Sequence, residues 1–262
     1  MNSADRKKFI VDYLEENYSV KINQLSKDLK VTRETVRKDL YELEKQGLIR
    51  KVLGGAVIEN SKLKSTYEKR KLENYEEKQM IAQKAISFIE PNDSIYLDYG
   101  TTVYCLAEEI LKMGNVTVVT NSIQIVNLLL KNPTIDIIVL GGLLRKNEDS
   151  LSGSFGLSNM DKLSVNYGFF SGGGVDPEFG LTNHNLGEAE ISREMFQKSQ
   201  TKIVLVDHTK YRNVSLNQVA ETKDIDFIIT DQSVTEKDKE LFEQLEVELI
   251  SVSKTRSEER RV

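Results

Sequence analysis

Residues 31–40 carry the pattern that most constrains the N-terminal part of the chain. Val36, Leu40 and Leu43 repeat at helical spacing and form one apolar stripe. Thr32 stands where an N-cap hydroxyl accepts from a free backbone N–H. A helix that presents polar and cationic groups from its first turn is typical of a DNA recognition helix. The residues that we expect to contact DNA from this helix are Thr32, Arg33, Thr35, Arg37 and Lys38.

Patterns on both sides of this helix predict a winged helix-turn-helix domain. Apolar residues repeat at helical spacing over residues 9–14 and 22–29, and only a tight turn fits before the third helix. Gly47 is placed to end that helix in a left-handed cap. Residues 48–58 indicate a hairpin, or wing, whose Arg50 and Lys51 are further candidates for DNA contact. The alternative is that these cations form an ordinary solvent-exposed helix face. That would account for one charged helix, but it does not account for three helices followed by a wing.

The charge distribution separates a small N-terminal domain from a larger one. Residues 1–59 hold 12 Lys and Arg against 10 Asp and Glu, whereas residues 60–262 hold 24 against 31. The small domain is therefore only mildly basic, with a net charge of +2. Its affinity for DNA must rest on focused contacts and on more than one copy per site. We predict a homodimer or homotetramer.

Several classes of protein are excluded by composition. No run of about 18 apolar residues is present, so we expect no membrane-spanning helix and no membrane partner. Residues 1–6 lack the apolar core of a signal peptide, which favours a cytoplasmic protein. The single cysteine, Cys105, excludes an internal disulfide, and His184 and His208 do not make a zinc set. No P-loop or dinucleotide-binding motif occurs. We expect neither a metal nor a cofactor.

The predicted domain organisation follows from these composition changes. Residues 1–59 form the winged helix-turn-helix domain, and the polar stretch 60–75 is interpreted as a linker. Residues 76–252 form an α/β domain, and a helix predicted over 73–89 leads into it. The charged residues 253–262 are predicted to be a disordered tail.

Short apolar runs alternate with helical patterns in the larger domain, which predicts an open α/β fold with a parallel sheet. The predicted strands are Ser94–Leu97, Val116–Thr120, Ile135–Leu140, Tyr167–Ser171, Lys202–Val206 and Phe227–Thr230. The predicted helices are Val103–Lys112, Ile123–Lys131, Asn185–Lys198 and Glu236–Gln244. Ligands of such folds bind at the carboxyl ends of the strands.

Polar or glycine-rich residues follow the predicted strands at that edge. After the first strand, Gly100 permits close approach, and Thr101 and Thr102 add hydroxyls to the free N–H groups of a helix N-terminus. That combination suits phosphate. The other candidates at strand ends are Asp98, Thr120, Asn121, Gly141, Gly142, Asp176 and Lys210. Each alone could be a turn or a cap, and the set could be an unused rim of the sheet. Together they favour a ligand site.

These motifs together resemble one family along nearly all of residues 3–231. Residues 31–40, Gly47 and Gly54–Ala56 resemble the DNA-binding domain of DeoR-type bacterial transcriptional regulators. Thr32, Lys38 and Leu53 stand where the family pattern has serine, arginine and histidine. The larger domain resembles the sensor domain of that family at Arg70, Asn74, Glu77–Lys78, Ile81–Ala82, Asp98, Gly100–Thr102, Thr120–Ser122, Gly141–Gly142, Gly180–Thr182, Glu188–Ala189, Asp207, Lys210 and Ile229–Asp231.

The resemblance implies a C-terminal domain similar to ribose-5-phosphate isomerase and related enzymes, used to sense a phosphorylated sugar. It implies that Gly100, Thr101, Thr102, Thr120 and Asn121 hold phosphate and the nearby hydroxyls. Glu188 and Lys210 would contact the sugar end, with Asp98 and Asp176 as further candidates. The implied function is a repressor of a sugar uptake or catabolism operon, with operator DNA and a phosphorylated sugar as partners.

Two other functions fit parts of the pattern. An aldose–ketose phosphate isomerase with a DNA-binding head needs a carboxylate base, and Asp98, Asp176 and Glu188 are candidates. The related isomerases carry a D-G-A-D-E-type loop, whereas residues 172–176 read Gly-Gly-Gly-Val-Asp. Fewer acids disfavour catalysis, so we predict that the protein is not an enzyme. The third possibility is a constitutive DNA-binding protein whose larger domain only oligomerises.

Overall fold

The computed structural model describes residues 3–17, 19–52, 54–58, 66–158, 160–231 and 234–253. The chain divides into two compact units, Met1–Ser65 and Thr66–Val262. Leu53, residues 60–65 of the predicted linker and residues 254–262 of the predicted tail lie outside the described residues. Within the described residues, no helix is both long and apolar enough to cross a membrane.

The N-terminal unit is a three-helix domain with a small antiparallel sheet. Its elements are α1 (Ser3–Asn17), β1 (Ser19–Lys21), α2 (Ile22–Asp28), α3 (Arg33–Lys45), β2 (Ile49–Val52) and β3 (Gly55–Ile58). The strands pair in the order β1-β3-β2. The apolar stripe of α3 meets Ile10 and Leu14 of α1 and Leu25 of α2 in one core. The winged helix-turn-helix prediction is therefore confirmed.

Both ends of α3 are capped by the residues that the sequence predicts, Thr32 and Gly47. The hydroxyl of Thr32 accepts from the backbone N–H of Thr35 at 3.2 Å. At the other end Gly47 has φ +71°, and its N–H donates to the carbonyl of Glu44. The N–H of Leu48 then reaches back to the carbonyl of Leu43 at 3.1 Å. This pair of bonds is a Schellman motif, which needs a left-handed residue that glycine adopts without strain.

Ion pairs hold α3 against α1. Asp39 is buried on α3, and its two carboxylate oxygens accept from Arg6 of α1 at 2.8 and 3.1 Å. Lys7 pairs with Glu42 at 2.7 Å, one turn further along. Bidentate arginine–carboxylate contacts have a fixed geometry, so they set the orientation of α3 on the domain.

The C-terminal unit is an α/β domain. Its elements are α4 (Thr66–Leu72), α5 (Tyr75–Ala85), β4 (Ser94–Leu97), α6 (Thr101–Met113), β5 (Thr117–Thr120), α7 (Ile123–Leu129), β6 (Asp136–Val139), β7 (Leu143–Arg145), β8 (Ser150–Ser152), α8 (Ser154–Leu157), β9 (Val165–Phe170), β10 (Gly174–Asp176), β11 (Gly180–Asn183), α9 (Leu186–Lys198), β12 (Ser199–Leu205), β13 (Asn217–Ala220), β14 (Phe227–Thr230), α10 (Glu236–Glu243) and β15 (Glu248–Ser251).

Seven parallel strands form the main sheet of the described part, in the order β15-β14-β12-β9-β4-β5-β6. Alternate side chains of the central strands enter cores on opposite faces, as Ile95 and Tyr96 do. Helices α5, α6 and α7 cover one face, and α9 and α10 cover the other. The open α/β prediction is confirmed. The sequence patterns missed β15, an edge strand.

Residues 66–75 differ from the expectation of a linker. Residues 66–72 form α4, and its Tyr67 is fully buried, edge-on to Tyr104 with ring centroids 6.4 Å apart. Burial of one aromatic ring outweighs the polar composition around it. The helix predicted over 73–89 begins at Tyr75 and continues beyond Ala85 as a 3-10 turn.

The cysteine lies where its helical pattern predicts. Cys105 is buried in α6 among the apolar side chains of the core. Burial raises the pKa of its thiol to about 12. Because the thiolate is the reactive form, this cysteine is a structural residue.

Candidate functional site

The exposed face of α3 carries the side chains that the sequence assigns to DNA contact. Thr32, Arg33, Arg37 and Lys38 are exposed, and Thr35 is half-buried. Arg37 pairs with Glu34 at 3.2 Å, with both side chains more than half exposed. An exposed pair of this kind contributes little free energy and exchanges readily for a stronger acceptor. The face is therefore available to bases and phosphates.

The wing residues differ in their surroundings. Lys51 and Arg50 are both exposed on β2. The backbone N–H and the ammonium of Lys51 both contact Glu44 of α3, at 2.8 and 3.0 Å. The ammonium also lies 4.8 Å from the centre of the Tyr41 ring. Lys51 thus joins the wing to α3, in addition to any contact with DNA.

Arg37→Ala is expected to weaken binding to operator DNA by about 1–3 kcal/mol, or roughly 5- to 150-fold, through loss of a bidentate base contact. Fluorescence anisotropy with labelled operator DNA measures the change. Lys45→Ala is the matched control, because Lys45 is an exposed cation in the last turn of the same helix. Wild-type affinity in the Arg37 variant contradicts the recognition-helix assignment.

Two adjoining chambers lie at the carboxyl ends of the main strands. The larger has a volume of about 330 Å³ and suits a small metabolite. The smaller has a volume of about 40 Å³, and four residues line both chambers. The shared residues are Arg70, Ser171, Gly172 and Lys210. Of the predicted effector residues, Gly100 and Glu188 line the larger chamber, Thr101 and Thr102 the smaller, and Lys210 both.

The smaller chamber is lined by the three cations Arg70, Lys78 and Lys210 and by the two carboxylates Glu73 and Asp207, so its charged side chains leave one positive charge in excess. The N-terminus of α6 opens into it at Thr101 and Thr102, where the first backbone N–H groups of a helix have no intrahelical partner. A Cβ added at Gly100 would lie 2.4 Å from that of Ser171, so the close packing of these two loops requires glycine. Lys78 and Lys210 add positive charge to the walls. This arrangement matches the chemistry of a phosphate group.

Two cations of this chamber also contact the protein around it. The buried ammonium of Lys78 donates to the carbonyls of Arg70 and Glu73, at 2.5 and 2.6 Å. Desolvation lowers the pKa of Lys78. The guanidinium of Arg70 pairs with Glu148, and burial raises the pKa of that carboxyl. Lys78 and Glu148 were absent from the residues that sequence reasoning assigned to the site.

The larger chamber has acceptors and donors suited to hydroxyl groups. Glu188 is fully buried, and its carboxylate accepts from Arg145 at 2.5 Å and from Ser150. Asn183 exchanges hydrogen bonds with the hydroxyl of Tyr99. A polyhydroxylated ligand could share these partners. Sequence reasoning found Glu188 but missed the others.

Three predicted residues lie buried behind the chamber walls. Thr120 donates to the carbonyl of Leu97 at 2.6 Å, and Asn121 donates to Leu151. Asp98 accepts from the Tyr99 N–H at 2.9 Å and from the Ser192 hydroxyl at 3.2 Å. Burial raises the pKa of Asp98 to about 7. These residues support the wall instead of lining it.

The last three predicted residues lie away from both chambers. Gly141 and Gly142 are exposed after β6, and Gly142 has φ +138° where the chain passes close to Ser152. They follow the edge strand β6, and residues further along the same connection, Arg145 and Glu148, reach the larger chamber instead. Asp176 accepts from the N–H groups of Glu178 and Phe179 and thereby caps a turn. None of these three residues lines the cavity.

A winged helix-turn-helix domain followed by an α/β unit with a polar cavity is the architecture of two-domain transcriptional regulators. Residues 6–62 match the DeoR-like helix-turn-helix domain, and residues 73–232 match the DeoR C terminal sensor domain. The chain belongs to the DeoR family. It is a DNA-binding transcriptional regulator.

Curated relatives are similar along most of their length. The transcriptional regulator GolR of Listeria innocua is 33% identical over 231 residues, 88% of this chain and 91% of that protein. The lactose phosphotransferase system repressor of Staphylococcus epidermidis is 31% identical over 252 residues, 94% of this chain and 99% of that protein. The putative aga operon transcriptional repressor of Escherichia coli O157:H7 is 30% identical, covering 95% and 94% of the two chains.

Solved structures align at lower sequence identity. Ribose 5-phosphate isomerase A from Neisseria gonorrhoeae aligns with a TM-score of 0.39 and 17% identity, over 51% of this chain and 52% of that one.

Proposed function

We propose that this protein represses genes for the uptake or catabolism of a sugar, and that its C-terminal domain binds a phosphorylated form of that sugar. The observation that carries the proposal is the smaller chamber, where the N-terminus of α6 lies together with Arg70, Lys78 and Lys210. A phosphate group matches that charge and that size. The adjoining larger chamber then receives the sugar, with Glu188 and Asn183 near its hydroxyls.

The mechanism proposed is a shift between conformations. The effector must bind one arrangement of the protein more tightly than the other, and the two arrangements must differ in affinity for the operator. Several DNA-binding domains on one operator make this difference in operator affinity large. For that reason we propose a homodimer or homotetramer. A protein of this kind acts in the cytoplasm, where both partners occur.

Catalysis is not part of the proposal. Of the three carboxylates considered as bases, Asp98 is buried behind the wall and Asp176 caps a turn. Glu188 lines the larger chamber but is paired with Arg145 and Ser150. An isomerase would need one of them free to take a proton from its substrate. Incubation with pentose and hexose phosphates tests this point, since turnover would support an enzyme.

The test of the regulator proposal is a titration of the protein bound to DNA from upstream of its own gene. Fluorescence anisotropy is followed while a panel of sugar phosphates is added. One phosphorylated sugar should shift the binding curve, and the same sugar without phosphate should leave it unchanged. If DNA binds tightly and no compound shifts the curve, the C-terminal domain serves assembly and the sensor proposal is wrong.

A further inference from the structure

Helix α4 is the first described element after the DNA-binding head. Only residues 59–65 separate the end of β3 from the start of α4. The helix is held to its own unit at both ends. Tyr67 is buried in the core, and its N–H donates to the carbonyl of Asn147 at 3.3 Å. The last turn is held by other groups.

Those other groups are two cations that line the smaller chamber. The guanidinium of Arg70, on α4 itself, pairs with Glu148. The ammonium of Lys78 donates to the carbonyl of Arg70 in the last turn of the helix and to that of Glu73, just after its end. Both Arg70 and Lys78 line the smaller chamber. The charges that fasten the last turn of α4 are therefore the same charges that a phosphate group in that chamber would attract.

The present position of α4 leaves polar groups unsatisfied. The Nε atom of Arg70 and the hydroxyl of Tyr67 are buried and have no hydrogen-bond partner among the described residues. A buried donor without an acceptor disfavours the arrangement that contains it. The guanidinium of Arg70 therefore has a hydrogen-bond donor that Glu148 does not accept from. A phosphate dianion is a stronger acceptor for such a fork than a single carboxylate oxygen.

We propose that Arg70 and Lys78 exchange between two sets of partners, so that phosphate binding loosens the last turn of α4, the helix that follows the DNA-binding domain in the chain. The inference rests on the proposed function, because it assumes that the smaller chamber takes the phosphate. Arg70 moves from Glu148 toward the phosphate, and Lys78 gives up carbonyl contacts at the end of α4. The helix then reorients about Tyr67, which stays in the core.

Hydrogen–deuterium exchange of the full-length protein tests this proposal. The probes are inorganic phosphate and a panel of hexose 6-phosphates, each at millimolar concentration. We expect slower exchange in residues 99–106, where phosphate meets α6, and faster exchange in residues 68–74. Slower exchange at 99–106 with unchanged or slower exchange at 68–74 overturns the inference and leaves the proposed function standing. If residues 99–106 do not respond to any probe, both fail.

Glu148→Gln provides the matching variant without ligand. The amide is a weaker acceptor for Arg70, so exchange at residues 68–74 should rise by on the order of tenfold, and the affinity for operator DNA should change in the same direction as phosphate changes it in the wild type. Asp238→Asn is the control, because Asp238 of α10 is an equally buried carboxylate and is paired with Arg212. Wild-type exchange and DNA affinity in the Glu148 variant contradict the exchange of partners.

Discussion

Thr101→Asp is expected to abolish the response of the DNA-bound protein to sugar phosphates. Thr101 is the first residue of α6 and lines the smaller chamber. A carboxylate there is favourable for the helix, because it faces the positive end of the helix dipole. The same carboxylate repels a phosphate group in the chamber. At a separation of about 4 Å, two like charges in partly shielded surroundings repel by about 4 kcal/mol, or roughly 1,000-fold in affinity.

The control for this variant is Thr101→Asn, which has the shape of the aspartate without its charge. It should keep most of the response, so a difference between the two variants isolates electrostatics from packing. The measurement is the anisotropy titration with the sugar phosphate that shifts the wild-type curve. A full response in the Thr101→Asp variant would place the phosphate site elsewhere in the protein.

Asp98→Asn is expected to remove a pH dependence from the stability of the C-terminal unit. Burial raises the pKa of Asp98 from 3.8 to about 7, so the folded protein holds this proton over a range where the unfolded chain releases it. The free energy of unfolding therefore falls as the pH rises from about 4 to about 7. The total change in the free energy of unfolding is about 4 kcal/mol, because the pKa differs by about 3 units and each unit corresponds to about 1.36 kcal/mol.

Urea denaturation of wild type and variant at several pH values measures this effect, because the other titrating groups cancel in the difference. The variant should gain stability relative to the wild type as the pH rises, until the difference levels off above pH 7. Asp136→Asn controls for the loss of one negative charge, since Asp136 is exposed on an edge strand. A difference that does not vary with pH would show that Asp98 ionises as it does in the unfolded chain.

The elements of the fold were predictable because their signals are local. Helix α3 has its apolar stripe, its Thr32 cap and its Gly47 terminator within a short stretch of chain. The buried strands appear as apolar runs between helical patterns for the same reason. Helix α4 was missed because its docking depends on Tyr67 and Tyr104, which are far apart in the sequence.

The candidate site was only partly predictable. Gly100, Thr101 and Thr102 follow a strand and open a helix, so their role could be predicted from neighbouring residues. Arg145 is the last residue of β7 and Glu148 lies on the connection to β8, and only the fold brings them to Glu188 and Arg70. No local pattern marks them. The predicted effector residues Gly141 and Gly142 follow the edge strand β6 and line neither chamber.

The burial of Cys105 has a practical consequence for experiments on this regulator. It is the single cysteine of the sequence, and its thiol is inaccessible to reagents in the folded protein. A cysteine introduced on the surface would therefore be the one thiol that a maleimide dye modifies in the native state. Fluorophores can be attached to the head, to α4 or to the sheet without first replacing the natural cysteine. Distances between labelled heads can then be followed on operator DNA as effector is added.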